Sequence, residues 1–253
     1  MKHLNIFSKL IFFGVLLTSL FSCSPEKTYD TIEKPDFTSI NETSKRKEAF
    51  IQYFLPIINE INNSILKDKK LLNHIAVSNN NNTLSEKQKQ DLGKLEKKYN
   101  LNEGTLDNSQ KIKELTLRIN TIPVSMILAQ AALESGWGTS RFSIEGNNFF
   151  GQHCFTAGCG IRAKNASPGT INEVIKFGSP KQSVKSYFMI LNTGSKFKEF
   201  RVLRNKRDEQ GVSINGKHLI STLGSYSELP KGEYDQRLKV TMDANNLYQY
   251  DRK

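Results

Sequence analysis

The stretch whose reading decides the fold is Pro123-Val124-Ser125-Met126-Ile127-Leu128-Ala129-Gln130-Ala131-Ala132-Leu133-Glu134-Ser135-Gly136-Trp137-Gly138. Pro123 suits a first helical turn, where a missing N–H costs nothing. Val124, Ile127, Leu128 and Ala131 then recur at the three- and four-residue steps that gather side chains on one face of a helix. That face must be covered by other elements. Glu134 continues it, three residues after Ala131 and seven after Ile127, so the helix carries a carboxyl group toward buried ground just before Gly136 can end it. Burial disfavours a carboxylate, and so does the negative end of the helix dipole. The pattern therefore predicts a carboxyl group that keeps its proton more strongly than usual, as a general acid must. The plain alternative is a glutamate that closes the helix by pairing with a base such as Arg141.

Upstream, Phe50, Phe54, Ile57, Ile61 and Ile65 mark a helix with one buried face, with a kink expected at Pro56. Ser78 to Thr83, with its four asparagines, reads as a loop. A charged helix from Ser85, a capping residue, to about Tyr99 and another near Ser109 to Ile119 follow. Residues 45–105 are read as a helical support region and 106–253 as the domain that carries the candidate acid, Glu134. Downstream, Thr170 to Phe177 alternates as a strand or hairpin arm does, and Ser183 to Leu191 and Tyr234 to Asn245 return to helix. The class is α+β, mainly helical.

At the amino end Lys2 and Lys9 precede an uncharged, mostly apolar run, Leu10 to Phe21, too short to cross a bilayer as a stable helix. This is a signal-peptide pattern over residues 1–22. It ends Leu20-Phe21-Ser22-Cys23, which resembles the lipobox of bacterial lipoproteins, so Cys23 is expected to be lipidated and to anchor the chain to a membrane. An ordinary secretory signal or a retained anchor, with an incidental cysteine, is the alternative, and either one still exports the chain. Ser24 after the cysteine implies, by the same resemblance, the outer membrane facing the periplasm. Residues 23–44, polar and holding Pro25 and Pro35, read as a flexible tether.

Of the 36 basic residues only Lys2 and Lys9 precede Cys23, and none of the 25 acids does, so the mature chain has a formal charge of +9. Export makes a membrane surface or an anionic wall polymer a better partner for that charge than nucleic acid. His74, His153 and His218 are scattered, with no metal-binding spacing, so no metal and no cofactor are expected. There is no phosphate-cradling glycine loop and no Gly-x-Ser-x-Gly elbow. Cys154 and Cys159, in an oxidising compartment, favour a disulfide.

The run Ala129 to Ser140 resembles the catalytic-acid segment of glycoside hydrolase family 73, the bacterial glucosaminidases, and so does Gly146-Asn147-Asn148-Phe149-Phe150-Gly151. The likeness is closer still to the Bax-like branch of that superfamily: Arg46-Lys47-Glu48-Ala49-Phe50, the Leu55-Pro56 helix, the Cys154-Phe155-Thr156-Ala157-Gly158-Cys159-Gly160 loop and Tyr226-Ser227. Each piece is short, but their joint order from about Lys45 to Asp251 is specific. The resemblance implies a lysozyme-like lobe with extra N-terminal helices, a small β-hairpin lobe and a groove between the lobes. It also implies endo-β-N-acetylglucosaminidase activity on peptidoglycan glycan strands.

Glu134 is then the acid. Glu173, on the hairpin arm, is the candidate second carboxylate, with Glu145 as runner-up and the substrate's own acetamido group as a replacement for either. Tyr226 and Tyr234 match two tyrosines of a family motif, the first contributing a hydroxyl to the groove. Trp137 either packs beneath the groove or touches sugar, and Asn147 and Asn148 either organise their turn or touch an acetamido group. A lytic transglycosylase and a non-catalytic wall-binding lipoprotein are the competing readings.

Overall fold

The computed structural model describes residues 33–102, 104–162, 173–224, 226, 230 and 232–251. The signal segment 1–22, Cys23 and its lipidation, and residues 170–172 of the expected strand lie outside the described residues.

Eight helices and a small sheet follow one another among those residues: α1 Thr43–Asn80, α2 Glu86–Lys98, α3 Asn108–Arg118, α4 Val124–Ser135, α5 Arg141–Gly146, then strands β1 His153–Cys154, β2 Gly160–Arg162 and β3 Glu173–Ile175, then α6 Pro180–Thr193, α7 Lys198–Glu209 and α8 Glu233–Ala244, closed by a 3-10 turn Leu247–Tyr250. The class is mainly helical with a three-stranded antiparallel sheet of order β1-β3-β2. His153 pairs with Val174 and Cys154 with Glu173; Ile161 faces Val174 from the other side. No helix among the described residues is long and apolar enough to cross a membrane.

α4 sits at the centre, and from Val124 to Ala132 every residue is buried, including Ser125 and Gln130. The apolar stripe was therefore too narrow a reading: α1, α8 and the C-terminal 3-10 turn surround α4, which makes it a core helix. α1 runs unbroken through Pro56 for 38 residues. The proline removes one helical hydrogen bond, and the burial of Phe54, Ile57 and Ile58 around it holds the helix together. The asparagine loop is shorter than expected, since α1 continues to Asn80, where Asn79 donates to the Ser109 hydroxyl at 3.0 Å.

Two boundaries move. α1 shares one continuous core with the rest, its Phe54 ring lying 4.7 Å from that of Phe149. Its buried Asn62 brackets Ile122 at the entry to α4, donating to the Ile122 carbonyl at 2.9 Å and accepting from the Ile122 N–H at 3.0 Å. The flexible tether drawn to residue 44 is also too long. Phe37 is 2% exposed, with its ring 5.4 Å from Phe50 and 6.2 Å from Tyr53. Lys34 donates to the Ser143 carbonyl at 3.2 Å. The buried Phe37 ring docks this otherwise polar segment together with the Lys34 ammonium, which also donates to the Asn147 side chain at 3.0 Å.

Candidate active site

The chemistry is concentrated where α4 ends. Gly136, Trp137 and Gly138 adopt φ values of +57°, +56° and +82°, three successive left-handed residues that turn the chain sharply away from the helix. For tryptophan that conformation is costly. It is held by the Trp137 N–H donating to the Ala132 carbonyl at 2.9 Å and the Gly138 N–H to the Ser135 hydroxyl at 2.9 Å. The Trp137 ring packs edge-on to Phe50 at 5.4 Å, and the Lys47 ammonium lies 5.1 Å from its centroid. Trp137 is thus built into the wall formed by α1.

Glu134, on the last turn of α4, is half-buried. Burial pushes its carboxyl pKa above the usual carboxylate value, and a hydrogen bond from Tyr234 partly opposes that rise. The ion-pair alternative is not realised with Arg141, which donates to the Arg162 carbonyl at 2.7 Å and lies 3.7 Å from Glu145.

Three phenols stand around the carboxyl group. Tyr234, from the start of α8, bonds Glu134, and its ring lies 5.7 Å from Tyr226. Tyr226 donates its hydroxyl to the Phe150 carbonyl and meets Tyr187 at 5.3 Å. Tyr187, on α6, stacks on Phe150 at 4.2 Å. Desolvation first, and then the negative charge that Glu134 can carry, hold Tyr226 and Tyr234 far above the ordinary phenol range, so both stay neutral donors. Gln130, one helical turn before Glu134, donates to the hydroxyls of Tyr187 and, at 3.2 Å, Tyr234. Gln130 and Tyr187 were missed in the sequence. The signal for Gln130 was available as a polar residue four positions before Glu134 on a buried face.

The turn after α5 closes the site from below. Gly151, at φ +63°, comes so near that a Cβ there would lie 3.9 Å from Glu134 Oε2. Asn148 builds this approach: its side-chain oxygen accepts from the N–H groups of Phe150 at 3.3 Å and Gln152 at 3.1 Å, and its amide donates to the carbonyls of Gln152 at 2.9 Å and Ile175 at 3.0 Å. Asn147, left-handed at φ +49°, donates to the Phe177 carbonyl at 3.2 Å and accepts from Lys34 at 3.0 Å. Both asparagines are engaged in holding the backbone.

Glu173 lies in β3, and its two oxygens accept from the N–H groups of Gly158, at 3.1 Å, and Gly160, at 2.8 Å. Those bonds hold its carboxyl pKa below the usual range. Cys154 and Cys159 are joined in a disulfide. Their sulfurs and the Glu173 carboxylate come within 4.8 Å of one another, but bonded sulfurs offer no thiolate to a metal. A cleft of about 550 Å³ between α1 and α6 contains none of these residues, and its Glu60 is ion-paired with Lys181 at 2.9 Å.

The sequence profile of the glucosaminidase family, mannosyl-glycoprotein endo-beta-N-acetylglucosaminidase, matches residues 109–247, more than half of the chain. The chain belongs to the glucosaminidase family. It is 30% identical over 215 residues to protein bax of Escherichia coli (strain K12), a match covering 84% of this chain and 75% of that protein. Among solved structures it is similar to the catalytic domain of the autolysin Auto from Listeria monocytogenes, at 22% identity and a TM-score of 0.39, over 73% of this chain and 87% of that one. The glucosaminidase match contains Glu134, the three tyrosines and the disulfide loop. Lys34, Phe37 and all of α1 lie before it, yet Phe50 and Lys47 of α1 supply the wall on which Trp137 rests, and Phe37 packs against that same Phe50.

Proposed function

We propose that this glucosaminidase hydrolyses β-1,4 glycosidic bonds of cell-wall glycan as an endo-β-N-acetylglucosaminidase, with Glu134 as the general acid. The observation that carries the reading is a half-buried carboxyl group at the end of α4, its pKa raised by burial, with Tyr187, Tyr226 and Tyr234 around it. Glycosidic cleavage requires a proton on the leaving oxygen as the bond breaks. Glu134 delivers it, and the Tyr234 hydroxyl, already directed at that carboxyl, stabilises the carboxylate left behind. Water then completes the cleavage, with Glu134 taking back a proton as base. The wall polymer is favoured as substrate by the family's N-acetylglucosamine chemistry, the basic charge of the chain and the export pattern before Cys23.

Glu173 as the partner carboxylate requires it to leave the two N–H groups it holds. The substrate's acetamido oxygen requires no such rearrangement to attack the anomeric carbon while the leaving oxygen takes the Glu134 proton. We favour that route. The test is mass spectrometry of the fragments released from purified wall. Reducing N-acetylglucosamine ends are expected; anhydro-muramic acid ends mean a lytic transglycosylase, and no release means a wall-binding protein. Cys23 is proposed as the lipid anchor, holding the enzyme at the outer membrane facing the periplasm; an unlipidated native chain refutes that part alone.

A further inference from the structure

The loop between Cys154 and Cys159 is held by more constraints than its size needs. The disulfide closes it with Cα atoms 6.3 Å apart, and the Cys159 N–H donates to the Thr156 carbonyl at 3.1 Å. Glu173 clamps its far side through Gly158 and Gly160, and β1 and β2 both pair with β3. Gly158 sits at φ +78°, and a Cβ on Gly160 would meet the Val174 carbonyl at 2.1 Å. A cross-link over so short a loop is where it constrains the unfolded chain least. Phe155, the large side chain the loop displays, is 73% exposed and adds nothing to the core. Rigidity of this kind lowers the entropy cost of binding whatever the displayed side chain touches.

The loop is also mounted directly on the site. Gly151 abuts Glu134, and the chain from there to the loop is fixed at each step. Phe150 accepts from Tyr226, Gln152 is bracketed by Asn148 and accepts from the Ile175 N–H at 2.9 Å, and His153 and Cys154 are paired in the sheet. Phe155 follows Gly151 by four residues, so its Cα stands within about 14 Å of that glycine, a span a glycan strand crosses in a few rings.

We propose that Phe155 is a stacking platform for a sugar ring of the bound strand away from the cleaved bond, and that Glu173 and the disulfide are the positioning elements that hold it there. The inference rests on the function proposed above. A β-linked pyranose exposes C–H bonds on its faces, which suit the face of an aromatic ring. A bilayer is the poorer partner, because Thr156, Ala157 and Gly158 beside Phe155 add too little apolar area to hold a membrane.

The experiment compares full-length wild-type, Phe155→Ala, Phe155→Trp and Glu173→Gln chains on the shortest glycan fragment that is cut and on long strands. Phe155→Ala should lower kcat/KM on long strands about three- to ten-fold, through KM, while leaving the shortest fragment unchanged. Phe155→Trp should restore the wild-type values. Glu173→Gln should show the same dependence on length, whereas a catalytic carboxylate would lose kcat at every length. Equal loss on both substrates, or no loss on either, overturns the inference while the proposed function stands. A wild-type chain that cuts neither refutes both. Wild-type binding to phosphatidylglycerol vesicles that Phe155→Ala abolishes, with glycan kinetics unaltered, assigns Phe155 to the membrane and also overturns it.

Discussion

At Glu134 two influences oppose each other, burial raising the carboxyl pKa and the Tyr234 hydrogen bond lowering it, and burial is the larger. Glu134→Gln keeps the shape and removes the proton, so wall hydrolysis should fall by a factor on the order of 10²–10⁴ with the fold intact. The stability sign follows from linkage. A carboxyl group whose folded pKa lies above its ordinary value of 4.5 contributes fully below that value and loses its contribution as pH rises through the folded pKa. The melting temperature of Glu134→Gln should therefore gain on wild type as pH is raised from about 4.5, and levels that track each other at every pH would refute a raised pKa. Tyr234→Phe removes the opposing hydrogen bond. The alkaline limb of the pH–rate profile should move upward while the rate drops by roughly ten-fold or more, as expected for a lost bond to a charged group. An unmoved limb would show that Tyr234 does not act on the acid.

At the scale of elements, the turn that ends α4 is coupled to the segment before α1. A Cβ on Gly138 would come within 2.3 Å of the Phe37 ring, at a backbone φ of +82° that side chains rarely adopt. Gly138→Ala should destabilise the protein by about 2 kcal/mol or more in chemical denaturation. Combining it with Phe37→Ala should cost less than the sum, because the clash disappears with the ring. Strict additivity would mean that the two do not touch. Elements also differ in how readable they were. α4 declared itself through Pro123, its apolar run and Gly136, and Ser85 capped α2 as expected, accepting from the Gln88 N–H at 3.3 Å. α7 went unread because Lys198–Glu209 is dominated by charge, and one of its buried residues is Arg204. That guanidinium donates to the carbonyls of Leu117 at 2.9 Å and Asn120 at 3.1 Å and to the Asn192 side chain at 2.6 Å. A hydropathy pattern scores such a residue as solvent-facing, and only its partners make it core.

For the whole molecule, the stretch 106–253 read as a catalytic domain is not closed by itself, since α1 covers Phe149, Trp137 and the entry to α4. A chain beginning at residue 106 should fail to give a cooperative thermal transition, whereas one beginning at residue 33 should unfold as the full chain does. A stable, active fragment from residue 106 would show that α1 is dispensable. Burial first, and then the neighbouring Arg201 charge, hold the Arg204 pKa down to about 9, and Arg204→Leu takes the guanidinium away from the Leu117 carbonyl and the Asn192 side-chain oxygen and leaves the Asn120 carbonyl with only the Asn192 amide at 3.4 Å. It should cost about 3 kcal/mol or more.

What the sequence determined by itself was local: periodicity set helices with an apolar face such as α1, the Pro-to-Gly frame set the span of α4, and the order of short motifs set the family. It also placed Glu134 on a face that had to be buried, because a side chain's direction follows from helical spacing alone. The tertiary structure decided which polar groups meet. Gln130, Tyr187, Tyr226 and Tyr234 come from segments up to 104 residues apart, and no local pattern records that hydrogen bonds from Gln130 and ring contacts of Tyr226 join them in one cluster beside the acid. The same holds for Glu173, whose alternation marked a strand but whose two N–H partners exist only once β2 and β3 have paired. Hydrogen bonds between distant segments depend on where the folded backbone sends them, and that is set by the packing of the whole core.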